Sequence, residues 1–149
     1  MVNYTFATLD AWTKKTERRI DAVLKDATQS VIAVAQKSKG HGGRMPVITN
    51  KLRDSLQSSI AGGAFGEGES SHILVASQMK GGDLATFTWT AEYARRVNNG
   101  FVGEDKLGRN YNQVGAHFVE GAVDEWPAIV RASIAKAKAA VAKAKAAVG

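Results

Sequence analysis

Ser133 and Lys136 stand three residues apart, a spacing at which a lysine amine could take the proton of a serine nucleophile. Acyl-transfer enzymes built on Ser-x-x-Lys also need Ser-Asp-Asn and Lys-Thr-Gly segments, and the chain holds neither. His41, His72 and His117 are far apart in sequence. His117 and Glu120 share one helical face and could offer two ligands to a metal, fewer than a zinc site requires. A surface or interface role is expected for that histidine. Gly62-Gly63-Ala64-Phe65-Gly66-Glu67-Gly68 has the glycines of a phosphate loop without its Gly-Lys-Ser/Thr ending, and Glu67 and Glu69 would repel phosphate. With no cysteine, the 149-residue chain has no disulfide scaffold, thiolate zinc site or cysteine nucleophile. The expectation is a protein that is not an enzyme, with no cofactor and no catalytic or metal site.

The remaining chemistry is cationic. The formal net charge is +6. The last fifteen residues, AKAKAAVAKAKAAVG, hold one seven-residue unit twice and carry Lys136, Lys138, Lys143 and Lys145 with no acid. Without them, sixteen bases face fourteen acids, so the body is near neutral. Arg95 and Arg96 could grip phosphate through bidentate bonds, or solvate the face opposite Tyr93 and Val97. The tail predicts a helix with a Val/Ala seam, Lys136 and Lys143 nearly opposite it and Lys138 and Lys145 bordering it. Such a seam buries little area, so a helical extension docked on a neighbouring subunit or on the body is expected.

These residues must be positioned by a few elements. Trp12, Ile20, Val23, Leu24, Ala27, Val31 and Val34 recur at three- and four-residue steps, predicting a long amphipathic helix over 8–37 that ends at Lys39-Gly40-His41-Gly42-Gly43. Thr49 is the expected N-cap of a short helix over 50–60, striped by Leu52, Leu56 and Ile60. Residues 61–71 predict a mobile loop. Residues 72–77 and 84–90 predict two strands of a hairpin about Lys80-Gly81-Gly82-Asp83. A helix is predicted over 91–98, closed by Asn99-Gly100, then a polar loop over 101–111. Helix is predicted from Asn112 onward, kinked or restarted at Pro127. Trp12, Trp89 and Trp126 are expected in the core. The class is α+β: long N- and C-terminal helices packed on a small antiparallel sheet, with short helices and long loops. Residues 1–133 read as one domain and 134–149 as an Ala/Lys-rich helical extension. No stretch is apolar enough to span a membrane and no signal-peptide pattern opens the chain, so a cytoplasmically folded, soluble protein is expected.

MPVITNKLRDSLQSSI, then WTAEYARRVNNGF, then GAHFVEGAVDEW, in that order, resembles the tail-completion (neck) proteins of long-tailed bacteriophages. That family carries Pro-Val-Asp-Thr-Gly-x-Leu-Arg-x-Ser, Tyr-Ala-x-x-Val-x-x-Gly and Phe-x-x-x-Ala segments. Pro46, Val47, Thr49, Leu52, Arg53 and Ser55 match the first, Tyr93, Ala94, Val97 and Gly100 the second, and Phe118 and Ala122 the third. Ile48 and Asn50 depart from the usual Asp and Gly. The resemblance spans roughly residues 8–133 and omits the Ala/Lys tail. It implies a structural protein of the virion, assembled in the host bacterial cytoplasm as a six-fold ring that joins filled head to tail around the DNA channel. Its partners would be its own copies and neighbouring connector and tail proteins, with Arg95, Arg96 and the tail lysines at an interface or facing packaged DNA. The long helices and the 61–71 and 101–111 loops are the expected contacts. The alternative is a small basic DNA-binding protein that grips phosphate through its tail. A small hydrolase would need His117, Glu120 and a serine to cluster.

Overall fold

Thr5 opens the first helix by accepting the Thr8 N–H on its hydroxyl at 3.2 Å. In the computed structural model, which describes residues 5–148, this helix, α1, runs Phe6–Gln36 and spans about 46 Å. Its C-terminal half buries Ala27, Thr28, Ile32, Ala35 and Gln36, and its first three turns lie open to solvent. The helix ends at Gln36 with Lys37 extended, just ahead of the predicted glycine segment, where a 3-10 turn at Lys39–His41 and a parallel bridge between Ser38 and Met45 reverse the chain.

The next elements are short: α2 (Lys51–Asp54), β1 (Leu56–Ile60), β2 (Phe65–Glu67), α3 (Ser71–Ser77) and β3 (Ala85–Trp89). The 50–60 helix is therefore corrected. Only Lys51–Asp54 is helical, with Asn50 rather than Thr49 at the cap position and no side-chain cap bond. Leu56, Ser58 and Ile60 are buried in strict alternation on a strand. A four-residue step between apolar positions suits a helix face and a strand face equally, so Leu52, Leu56 and Ile60 misled. The 61–71 loop is also corrected, because Phe65–Glu67 pairs antiparallel with β1. Residues 72–77 form helix, not strand. His72, Val75, Ala76 and Met79 are buried at helical spacing, while Ile73 and Leu74 are exposed.

β3 lies where alternation placed it, but its partner is β1, with Leu56 opposite Trp89 and Ile60 opposite Ala85. The sheet order is β2-β1-β3, and α3 covers the face carrying Ser58, whose hydroxyl meets that of Ser71 at 2.8 Å. Helix α4 (Ala94–Asn99) ends at Gly100 as predicted. The 101–111 loop is corrected to a hairpin, β4 (Gly100–Glu104) with β5 (Asn110–Val114). Asp105 organises its turn, accepting the Leu107 and Arg109 N–H groups at 2.9 Å. Helix therefore starts not at Asn112 but at α5 (Phe118–Asp124).

A new helix, α6 (Trp126–Val148), begins beside Pro127, where a missing N–H costs nothing, and crosses residue 134 unbroken. It runs back antiparallel along α1, with Ser133 and Lys136 beside Asp26 and, further out, Val141 and Lys145 sharing a groove with Val23 and Arg19. The Ala/Lys tail thus docks on the chain's own first helix. Trp89 packs in the core, Trp126 is partly exposed, and Trp12, 66% exposed, is not a core residue. Trp12 lies on the exposed N-terminal turns of α1. The class is α+β, with long terminal helices and small antiparallel sheets.

Candidate interaction site

The three resembling segments, spread over 46–122, meet in space. Leu52, Ala94, Phe118 and Ala122 form one buried cluster with Ala35 and Met45, and Val47, Val97 and Trp89 pack against it. Trp89 and Phe118 meet edge to face, 5.2 Å between ring centroids. Pro46, Thr49, Leu52, Tyr93 and Val97 share a shallow hollow of about 420 Å³. Arg53 donates Nε–H to the Gln36 carbonyl at 2.9 Å and lies 3.6 Å from the Glu69 carboxylate. Ser55 closes α2 by donating to the Leu52 carbonyl at 2.7 Å. Gly100 sits at φ 83°, ψ 171°. Leu52, Ala94, Phe118 and Ala122 act in the core and Arg53 and Ser55 through hydrogen bonds, while Thr49 and Tyr93 are exposed at the hollow.

The other candidates stay dispersed. Arg96 stacks over Phe101, 4.2 Å from the ring centroid, and Arg95 is exposed. The Ser38 hydroxyl lies 2.6 Å from His41 Nδ1. His72 is buried against the Glu69 carbonyl, and burial lowers its pKa. His117 takes a left-handed backbone at φ 49° and lies 3.8 Å from Glu120. Glu120 accepts both Asn98 amide contacts at 3.0 and 2.9 Å, and its own backbone N–H, then Asn98, holds its carboxyl below the usual range. No group of three metal-ligating side chains occurs among the described residues.

Ser133 and Lys136 both turn to Asp26. The hydroxyl donates to Oδ2 and the ammonium to Oδ1, each at 2.7 Å. The pair is a tie between two helices, and Lys136 faces α1 rather than away from it as its place opposite the seam predicted. Asp26 was missed in sequence, although a carboxylate at the edge of the apolar stripe of α1 signals a partner. Lys136, then Ser133, holds its carboxyl below 3.8. This ionised tie therefore contributes stability above the unfolded value near pH 4 and loses it as pH falls through the lowered folded value. Asp26→Asn is expected to cost about 1 kcal/mol at pH 7 in urea unfolding. The gap to wild type should close below about pH 4; a constant gap would contradict the tie.

Lys138 and Lys145 border the seam as predicted and, with Arg19, rim a groove floored by Val23, Ile134, Ala137 and Val141. Lys143 is exposed. Together α1 and α6 hold ten bases against four acids, and the rest of the chain holds ten of each. The whole net charge sits on the two-helix arm; the head is neutral. Compared with known family models, curated proteins and solved structures, the chain matches none. Among the described residues, no helix is long and apolar enough to cross a membrane.

Proposed function

We propose that the chain is a structural subunit of a phage neck, one copy in a ring that joins a DNA-filled head to its tail. The observation that carries this reading is the convergence of Pro46–Ser55, Tyr93–Gly100 and Phe118–Ala122 on one buried cluster. Leu52 of the first segment, Ala94 of the second, and Phe118 and Ala122 of the third supply four of its six buried members. A charged arm with exposed Phe6, Leu9 and Trp12 suits a subunit that finishes its burial against neighbours. An electron cryomicroscopy map of the particle neck tests the reading. The arm and head should fit repeated density between head and tail; a neck whose density excludes this chain sinks it.

The segregation of charge onto the arm favours a second reading, non-specific DNA binding. That reading requires DNA affinity in the isolated protein that falls steeply with salt and disappears on removal of residues 135–149.

A further inference from the structure

The groove between α1 and α6, about 360 Å³, combines an apolar floor with an all-cationic rim. Tertiary structure alone assembles it, because Arg19 comes from one end of the sequence and Lys138 and Lys145 from the other. On α1, Asp26 is tied to Ser133 and Lys136, Asp21 accepts the Gly81 N–H at 2.7 Å, and Asp10 pairs with Lys14. α6 has no acid at all. Among the described residues Arg19, Lys138 and Lys145 enter no ion pair, so the rim charge is left for a partner. An apolar floor is poorly matched to a sugar–phosphate strand and well matched to a protein ridge of a few exposed apolar side chains flanked by carboxylates.

The chain carries such a ridge. Between Asn110 and Val130 it has Glu120, Asp124 and Glu125 and no lysine or arginine in sequence, while Lys37 and Arg44 share a pocket with Glu125 on one flank and enter no ion pair with it among the described residues. There Val123 is 60% exposed and Trp126 37% exposed, at the junction of α5 and α6. The ridge cannot reach the groove of its own molecule. Trp126 and Ile134 lie on the same rigid helix, about 12 Å apart along its axis.

We propose that the groove of one copy receives the α5–α6 junction of a second copy, Val123 and Trp126 on the apolar floor and Asp124 and Glu125 against Arg19, Lys138 and Lys145. The two patches differ, so the contact is heterologous and repeats from copy to copy, closing into a ring or running on as a filament. It rests on the neck reading only for the closure of that ring.

Charge reversal in the purified full-length chain tests the contact, with assembly followed by sedimentation across a concentration series. Lys138→Glu with Lys145→Glu should weaken self-association about tenfold or more, and Asp124→Lys with Glu125→Lys should do the same. All four positions are exposed, and unchanged helical circular dichroism should accompany each pair; the milder Lys138→Gln with Lys145→Gln serves if a reversal disturbs folding. Mixing the two reversed variants should restore assembly that neither shows alone, because each then offers the other an opposite charge. A wild type that stays monomeric, reversals without effect, or a mixture that fails to recover would each overturn the proposal. So would groove variants that lose only affinity for a DNA duplex. A chain that occupies the neck yet never associates in solution overturns this contact and leaves the proposed function standing. Assembly that obeys the charge rules in a chain absent from necks does the reverse.

Discussion

Phe118→Ala is expected to destabilise the head by about 3–5 kcal/mol. The ring is 2% exposed and sits where α1, α2, α4 and α5 meet, with Ala35, Leu52, Ala94 and Ala122 around it. Truncation removes its transfer free energy, leaves a cavity among small neighbours that cannot collapse into it, and ends the edge-to-face contact with Trp89. A domain of this size has about 5–15 kcal/mol in total, so the variant should unfold at much lower urea. Phe118→Leu keeps most of the volume and should lose roughly half as much or less. If the alanine variant loses under about 1 kcal/mol, Phe118 is peripheral and the common core of the three segments is wrong.

Gly100→Ala is the second large effect, with a different origin. At φ 83°, ψ 171° the backbone occupies a region that only glycine enters readily. A methyl group there would stand 2.6 Å from the Gln113 carbonyl oxygen and 2.7 Å from the Gly115 nitrogen. Both are backbone atoms, one in the opposing strand and one just past its end, and cannot swing aside. The expected cost is about 3 kcal/mol or more, taken locally. Gly100 opens β4 opposite Val114, and just beyond it Ala116 and His117 donate to the Val97 and Asn98 carbonyls at 2.8 and 2.9 Å. Amide exchange should therefore accelerate at Ala116, His117 and the β4–β5 hairpin, while Val75 and Ala76, in the separate cluster under α3, keep their protection. Uniform loss across both clusters would show that the hairpin and the head unfold as one unit.

Both effects fall on residues singled out from sequence, yet the sequence did not disclose what they do. Phe118 stood out through a resemblance, and Gly100 both through it and as the stop of a helix; the packing partners of both come from segments that only the fold brings near. The same holds for Ser133 and Lys136, whose spacing suggested an acyl-transfer pair. Their common partner, Asp26, lies as much as 110 residues away. A pattern search along the chain has no means of pairing positions so remote.

What the sequence by itself determined are the features written in local periodicity. The 3.6-residue stripe made α1, the seven-residue Ala/Lys unit made the far half of α6, alternation made β3, and a glycine stopped α4 where it stands. Tertiary structure decided the rest. Leu56 and Ile60 became strand, and Val75 and Ala76 helix, because a four-residue step or a short apolar run fits either state until a neighbour covers one face. It decided that β3 pairs with β1 across an intervening helix. It also decided that the basic tail is one wall of a groove whose other wall is α1, since only packing two helices antiparallel sets Arg19 beside Lys138 and Lys145. Charge is a property of the chain, but where like charges gather is set by which helices bury their apolar stripes together.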